Sequence, residues 1–459
     1  MSDEQKNIGV GIEEFGYKQE LHRALHLKDL VIYGMLFMVI IAPMSIYGQI
    51  EQASGGMTPL VYLVGVIAIT FTALSYMFMS ARFPIAGSVY AYVQRGINPH
   101  VGFIAGWLIL LDYVFIPSLL YAIVAGWCIA LVPQIPFFVW VILFVLINTT
   151  INVRGIESTA KTDWVMFILE IGVLLFFIIF GLMFVFKGGG AGHLSIAPFY
   201  QPGKINPAFI ASATSIACLS FLGFDGISTL AEETVQPEKT VGKAILIALV
   251  AIGLVFILQT YIADLILPDW QNIDPNTGFF DAAALAGGQV FKVILLVINI
   301  LAVGIANTMA AQTATARMLF GMSRDGVMPK IFSKIHPKYK TPYLGSIIIG
   351  VVSCIVPLLF TIAQLARLVN FGALSSFLML NFAVFLFFFI KEKNRGFGAI
   401  IKYLVCPWCG IAILLFVFTG FEKLTFIIGI SWLIVGLIIG YIKSKGYKEV
   451  PEAFRNVHQ

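Results

Sequence analysis

Charge is what this sequence has least of. Only 12% of its 459 residues are Asp, Glu, Lys or Arg, against 59% hydrophobic, whereas a soluble domain carries about 25% charged residues. That balance excludes an ordinary soluble protein. Cysteine is scarce too: five are scattered along the chain, so no disulfide framework is implied, and no Cys/His cluster has zinc-site spacing. The close pair Cys406-Pro-Trp-Cys409 imitates a redox motif without a βαβ context and reads as a passive pair at a helix start. The short alternating segments of a membrane barrel are missing. No nucleophile–base pair, metal cluster or phosphate loop is visible, which argues against an enzyme with a cofactor. Residues 1–27 lack an apolar core followed by a small-residue cleavage site, so insertion is expected to depend on the first span.

What the chain has is apolar length. Runs of 18 or more apolar residues recur from near Val31 to Tyr441, leaving room for roughly twelve helices. The expected fold is an all-α polytopic membrane protein. Lys and Arg gather before the first span (Lys6, Lys18, Arg23, Lys28), then at Arg82 and Arg95, Arg154 and Lys161, Lys239 and Lys243. They gather again over Arg324–Lys340, Lys391–Lys402 and Lys443–Lys448. These groups occupy alternate connections, which predicts both termini in the cytoplasm of a multi-pass plasma-membrane protein. The run Lys330–Lys340 bridges two apolar segments and is no nucleic-acid patch.

Two spans are interrupted. Ile41-Ala42-Pro43-Met44-Ser45-Ile46-Tyr47-Gly48 places a proline inside the first, predicting a break near 41–48. Ser220–Thr234 reads SFLGFDGISTLAEET, and its Gly223, Asp225 and Gly226 predict a break near 220–227. Unwound backbone is tolerated at membrane depth only where it is buried in protein or lines a wet cavity. Interrupted spans in corresponding positions of two halves point to a transporter's binding site. Asp225 either caps the half-helix that follows or faces a ligand, and one carboxylate can do both.

Other acidic groups lie deep. Asp112 precedes Tyr113 in the long third span, and Glu170 lies seven residues beyond Asp163 on one helix face, about 10 Å along the axis. Asp163 and Asp264 read as interfacial. Glu170 has no basic residue within a turn, which suits a proton carrier or a cation ligand. The deep candidates Asp112, Glu170 and Asp225 are all acidic, and no Lys or Arg sits clearly mid-span. Unpaired carboxylates in low dielectric favour protonation or a cationic partner.

Several motifs now coincide in order: Phe83-Pro84-Ile85-Ala86-Gly87-Ser88-Val89-Tyr90-Ala91-Tyr92, Phe221 to Thr234, and Ala316-Arg317-Met318-Leu319 leading to Arg324-Asp325-Gly326-Val327-Met328-Pro329. Together they resemble the amino acid–polyamine–organocation (APC) transporter superfamily over nearly the whole chain. Pro43-Met44 with Tyr47-Gly48, Leu111-Asp112-Tyr113, Phe221–Asp225 with Glu232-Glu233-Thr234, and Asn370-Phe371-Gly372-Ala373-Leu374 are similar to its bacterial putrescine importer branch. The resemblance implies a LeuT-type five-plus-five inverted repeat plus two C-terminal helices, with substrate where the broken helices face each other. The corresponding divisions are a cytoplasmic segment 1–29, a first repeat 30–190 (helices 1–5) and a second 207–390 (helices 6–10). Helices 11–12 follow at 399–443 and a cytoplasmic tail at 444–459.

Two departures from the superfamily's usual pattern matter. Amino acid permeases commonly open the first break with a Gly-Ser-Gly type run whose N–H groups hold a carboxylate; Pro43 offers no N–H. Glu170 stands where many relatives place a lysine thought to mimic a coupling sodium. It could bind sodium, bind substrate or carry the proton. The expectation is a secondary-active importer of a small cationic amine such as putrescine, with a proton, or else sodium, as coupling ion. Asp225, Asp112, Tyr113 and Tyr47 would bind substrate, with Ser45, Met44, Phe221 and Phe224 around them, and Glu170 would couple. Glu232 and Glu233 would close a gate with Arg82 or Arg154. The alternatives are a permease for neutral or cationic amino acids, and a membrane sensor that binds without transport.

Overall fold

Every named element in the computed structural model is helical; it describes residues 12–15, 18–275 and 277–449. Residues 1–11 of the N-terminal segment and 450–459 of the expected tail lie outside the described residues. The helices are α1 (Leu27–Phe37), α2 (Pro43–Ser54), α3 (Thr58–Arg82), α4 (Ser88–Gly96), α5 (Pro99–Leu131), α6 (Phe137–Arg154) and α7 (Ile156–Phe186). Then come α8 (Pro207–Phe221), a 3-10 segment Phe224–Glu233, and α9 (Pro237–Ile266). Next are α10 (Gly278–Arg324, with a π-helical stretch Ala302–Asn307), α11 (Tyr343–Leu359) and α12 (Ile362–Val384). The last two are α13 (Phe397–Phe418) and α14 (Lys423–Lys443).

Ten helical stretches among the described residues are long and apolar enough to cross a bilayer. Counting α1 and α2 as one interrupted crossing and adding the shorter apolar α11 brings the bundle to the expected twelve. Proline in the first turn starts α2, α3, α5, α8 and α9, where its missing N–H costs nothing and its fixed φ suits a helix. Asn98 and Asn206 accept backbone N–H groups as caps of α5 and α8.

Small residues set the closest approaches. A Cβ on Gly102 would stand 2.4 Å from that of Gln94, and one on Gly106 would stand 2.9 Å from the Tyr90 ring. The short α4 is thereby seated against α5, as the small-xxx-small spacing in the sequence suggests. Gly242 and Gly253 of α9 receive Met77 and Val66 of α3 in the same way. These contacts fix the scaffold around the two breaks.

Candidate functional site

The first break falls earlier than expected. The helix is interrupted between Phe37 and Pro43, and Pro43 opens α2 instead of interrupting a helix. Proline's preference for the first helical position explains the shift. Val39 takes φ 57°, a conformation that costs a β-branched residue about 1–3 kcal/mol and persists only where its surroundings impose it.

Those surroundings are polar side chains from three other helices. Asn307 of α10 donates to the Phe37 carbonyl at 2.9 Å, and Gln259 of α9 donates to the Ile40 carbonyl at 2.9 Å. Glu170 of α7 is 1% exposed, and its carboxyl lies against the Ile40 N–H without completing a hydrogen bond. One residue of the break, Ile40, is thus met at both its N–H and its carbonyl. Unwound backbone is partnered by buried protein groups, as membrane depth demands.

The second break is where the sequence put it. After α8 ends at Phe221, Leu222 is extended and Gly223 takes φ 109°, a left-handed value that favours glycine. The segment that follows is a 3-10 helix whose start has no side-chain cap. Asp225 therefore is not the cap that the sequence allowed; its carboxylate turns to hydroxyls. Tyr113 of α5 donates to Asp225 Oδ2 at 2.6 Å, Ser88 at 3.2 Å and Tyr76 of α3 at 3.4 Å. Oδ1 has no partner among the described residues. Asp112, 2% exposed, is close enough to interact electrostatically with Asp225, and its own Oδ1 is also unpartnered.

The remaining sequence candidates disperse. Tyr47 donates to Asp264 Oδ1 at 2.8 Å and packs on Phe279, away from Asp225. Met44 Sδ accepts from Asn299 at 3.4 Å. Phe221 stacks in a ring cluster with Tyr62 and Phe256, while Phe224 packs on Tyr76 and Phe377 beside Asp225's hydroxyl partners. Asp163 and Asp264, read as interfacial in the sequence, are both covered by neighbouring helices.

Ser45 alone of the named set lines a cavity beside the first break. Its walls include Phe37, Val39, Leu119, Leu222 and Asn307, so it is apolar apart from a few hydroxyl and amide groups. Phe37 was not singled out in the sequence, yet it joins cavity and carboxylate. The ring that walls the cavity also lies against Gly223 and Gly226, on either side of Asp225.

Glu232 and Glu233 pair with other arginines than the expected Arg82 and Arg154. Glu233 is held bidentately by Arg317, with Nη2 2.8 Å from Oε1. Glu232 is held bidentately by Arg324 at 2.7 and 3.0 Å, and also accepts the Ala86 N–H at 2.9 Å. The partner helix is the last part of α10, which packs against the end of the 3-10 segment. Arg82 instead meets Glu392 at 3.5 Å on the surface, and Arg154 is exposed at the end of α6. Over these two pairs lies the N-terminal strap. Ala24 and Leu25 donate to the Glu233 carbonyl at 3.0 Å, Val235 donates to Leu25 at 2.9 Å, and Gln19 reaches the Glu232 carbonyl at 2.8 Å.

Ser88 and Tyr76 were also missed as Asp225 partners. Ser88 takes φ 52°, a backbone state that no sequence motif announces, and Tyr76 sits in what reads as a plain span.

Two interrupted helices meeting at a buried carboxylate, beside a cavity and two Glu–Arg ion pairs, define a polytopic membrane carrier. The sequence model of the amino acid permease family matches residues 32–443, and the chain belongs to that family, within the APC superfamily. It is 34% identical over 445 residues to the low-affinity putrescine importer PlaP of Escherichia coli (strain K12), covering 95% of this chain and 97% of that protein. This supports the resemblance to the putrescine importer branch. The branched-chain amino acid permease BcaP of Bacillus subtilis (strain 168) is 27% identical, covering 97% of this chain and 98% of the permease. A methylthioribose transporter of the same organism is 26% identical, covering 93% and 94% respectively.

Proposed function

We propose that the protein is a secondary-active importer of a small cationic amine, putrescine or a close relative, driven by the proton gradient across the plasma membrane. The carrying observation is the buried Asp225–Asp112 pair. Each carboxyl keeps an unpartnered oxygen, and neither meets a cation among the described residues. An ammonium group supplies the missing charge and donors. The apolar cavity walled by Phe37 and Leu222 suits the methylene chain of a diamine, and a small movement of the Phe37 ring would connect it to Asp225.

The first break also disfavours a carboxylate ligand. Pro43 has no N–H, and the Met44 and Ser45 N–H groups already donate to Ile41 and Ala42 at 3.0 and 3.1 Å. The anion site of a helix N-terminus is therefore filled from within the chain. Similarity to the putrescine importer agrees with this reading. In it, the N-terminal strap and the two Glu–Arg pairs close the cytoplasmic side, with both termini in the cytoplasm, and the two halves are inverted repeats. Glu170, touching the break of the first helix, couples protonation to opening.

An amino acid permease is the second reading, favoured by the apolar cavity wall and by similarity to the branched-chain permease. Uptake of labelled putrescine by cells expressing the protein, in competition with unlabelled diamines, leucine and lysine, separates the two. Inhibition by diamines and not by leucine supports the importer; the reverse supports the permease.

A further inference from the structure

A second pair of carboxyl groups is buried at the opposite end of the bundle from the N-terminal strap. Glu51 on α2 and Asp264 in the last turn of α9 are 1% and 4% exposed. Asp264 Oδ1 accepts the Tyr47 hydroxyl at 2.8 Å, and Glu51 Oε2 accepts the Thr58 hydroxyl. The two carboxyls lie within hydrogen-bond reach of each other, yet Asp264 Oδ2 has no donor among the described residues. Tyr47 is the other titratable group facing them. Neither carboxyl is in an ion pair with a described Lys, Arg or His.

Two ionised carboxylates do not share a dry site. One proton between them converts two facing acceptors into a short O–H···O bond and supplies the donor that Asp264 Oδ2 lacks. The packing is close: a Cβ on Gly48 would stand 2.2 Å from the Asp274 carbonyl, the Tyr47 and Phe279 rings meet edge-on at 5.6 Å, and Gln52 donates to the Ile273 carbonyl at 2.8 Å. Such a setting suits a proton better than an ammonium group, which needs its own shell of ligands.

We infer that Glu51 and Asp264 form a proton-binding site that holds one shared, exchangeable proton and ties the half-helix α2 to α9. Loss of that proton sets two negative charges against each other and loosens α2, the element that carries Ser45 to the cavity. This last consequence rests on the carrier reading above; the site itself does not.

Infrared difference spectra of the purified full-length chain, recorded between acid and alkaline pH without substrate, test it. A carboxylic C=O band lost on alkalinisation is expected to be absent from both Glu51→Gln and Asp264→Asn, with no further loss in the double variant, because the residues share one proton. Tyr47→Phe keeps both carboxyls and is expected to retain the band while shifting the pH at which it vanishes. Separate bands removed by the two single variants, spectra unchanged in both, or an unshifted band in Tyr47→Phe overturn the inference. The Tyr47→Phe arm serves if a carboxyl variant does not fold. With no substrate present, a failure of putrescine transport leaves the result intact.

Discussion

Tyr113 donates its hydroxyl to Asp225 at 2.6 Å, joining the third span to the broken sixth. A hydrogen bond to a charged group contributes about 1.5–3 kcal/mol. Tyr113→Phe keeps the ring and removes this donor, so initial uptake at low substrate is expected to fall by roughly 10- to 100-fold. Labelled uptake normalised to membrane-inserted protein measures it, and an unchanged rate would detach Tyr113 from the site.

The ion pairs of Arg317 and Arg82 differ in depth, and their variants should differ in cost. Arg317 and Glu233 are 4% and 1% exposed, and removing one member of such a pair costs about 3–5 kcal/mol. Arg82 and Glu392 are 54% and 32% exposed, and a surface pair contributes at most about 1 kcal/mol. Thermal denaturation of the purified protein should show a large loss for Arg317→Ala and almost none for Arg82→Ala. Equal losses would contradict the structural weight of the buried Arg317–Glu233 pair.

The arginines show what the sequence could and could not disclose. Glu232 and Glu233 stood out as ion-pairing acids because they end a broken helix, but pairing is set by which helix end packs there, and Arg317 lies 84 positions away from Glu233. Twelve spans were legible from apolar length, and the second break from Gly223 and Gly226. The first was misplaced by several residues because proline signals both a break and a helix start. Tyr47 looked like a site residue by its place in a motif, whereas one turn of α2 points it at Asp264. Phe37 carries no polar group and gave no signal. Its role follows from the two glycines it covers.

That covering makes a sharp test. A Cβ on Gly226 would stand 2.2 Å from Phe37 Cε1, so Gly226→Ala must displace the ring. Transport should be lost in Gly226→Ala and regained in part when Phe37→Leu is added to it. If the second substitution only deepens the defect, the ring does not link cavity and carboxylate.

Glu170 addresses the Ile40 peptide from α7. Glu170→Gln preserves size and polarity while removing the titratable proton. Accumulation driven by an imposed proton gradient is expected to disappear, while exchange of internal for external substrate continues. Accumulation that survives unchanged would place the coupling group elsewhere.

The most direct measurement is uptake of labelled putrescine into proteoliposomes, with proton and sodium gradients imposed separately on the native protein and on Asp225→Asn. Uptake by the native protein is expected under an inward proton gradient alone, and none by Asp225→Asn although it inserts and folds. Putrescine transport by Asp225→Asn at the native rate, or transport of leucine with none of putrescine by the native protein, would contradict it.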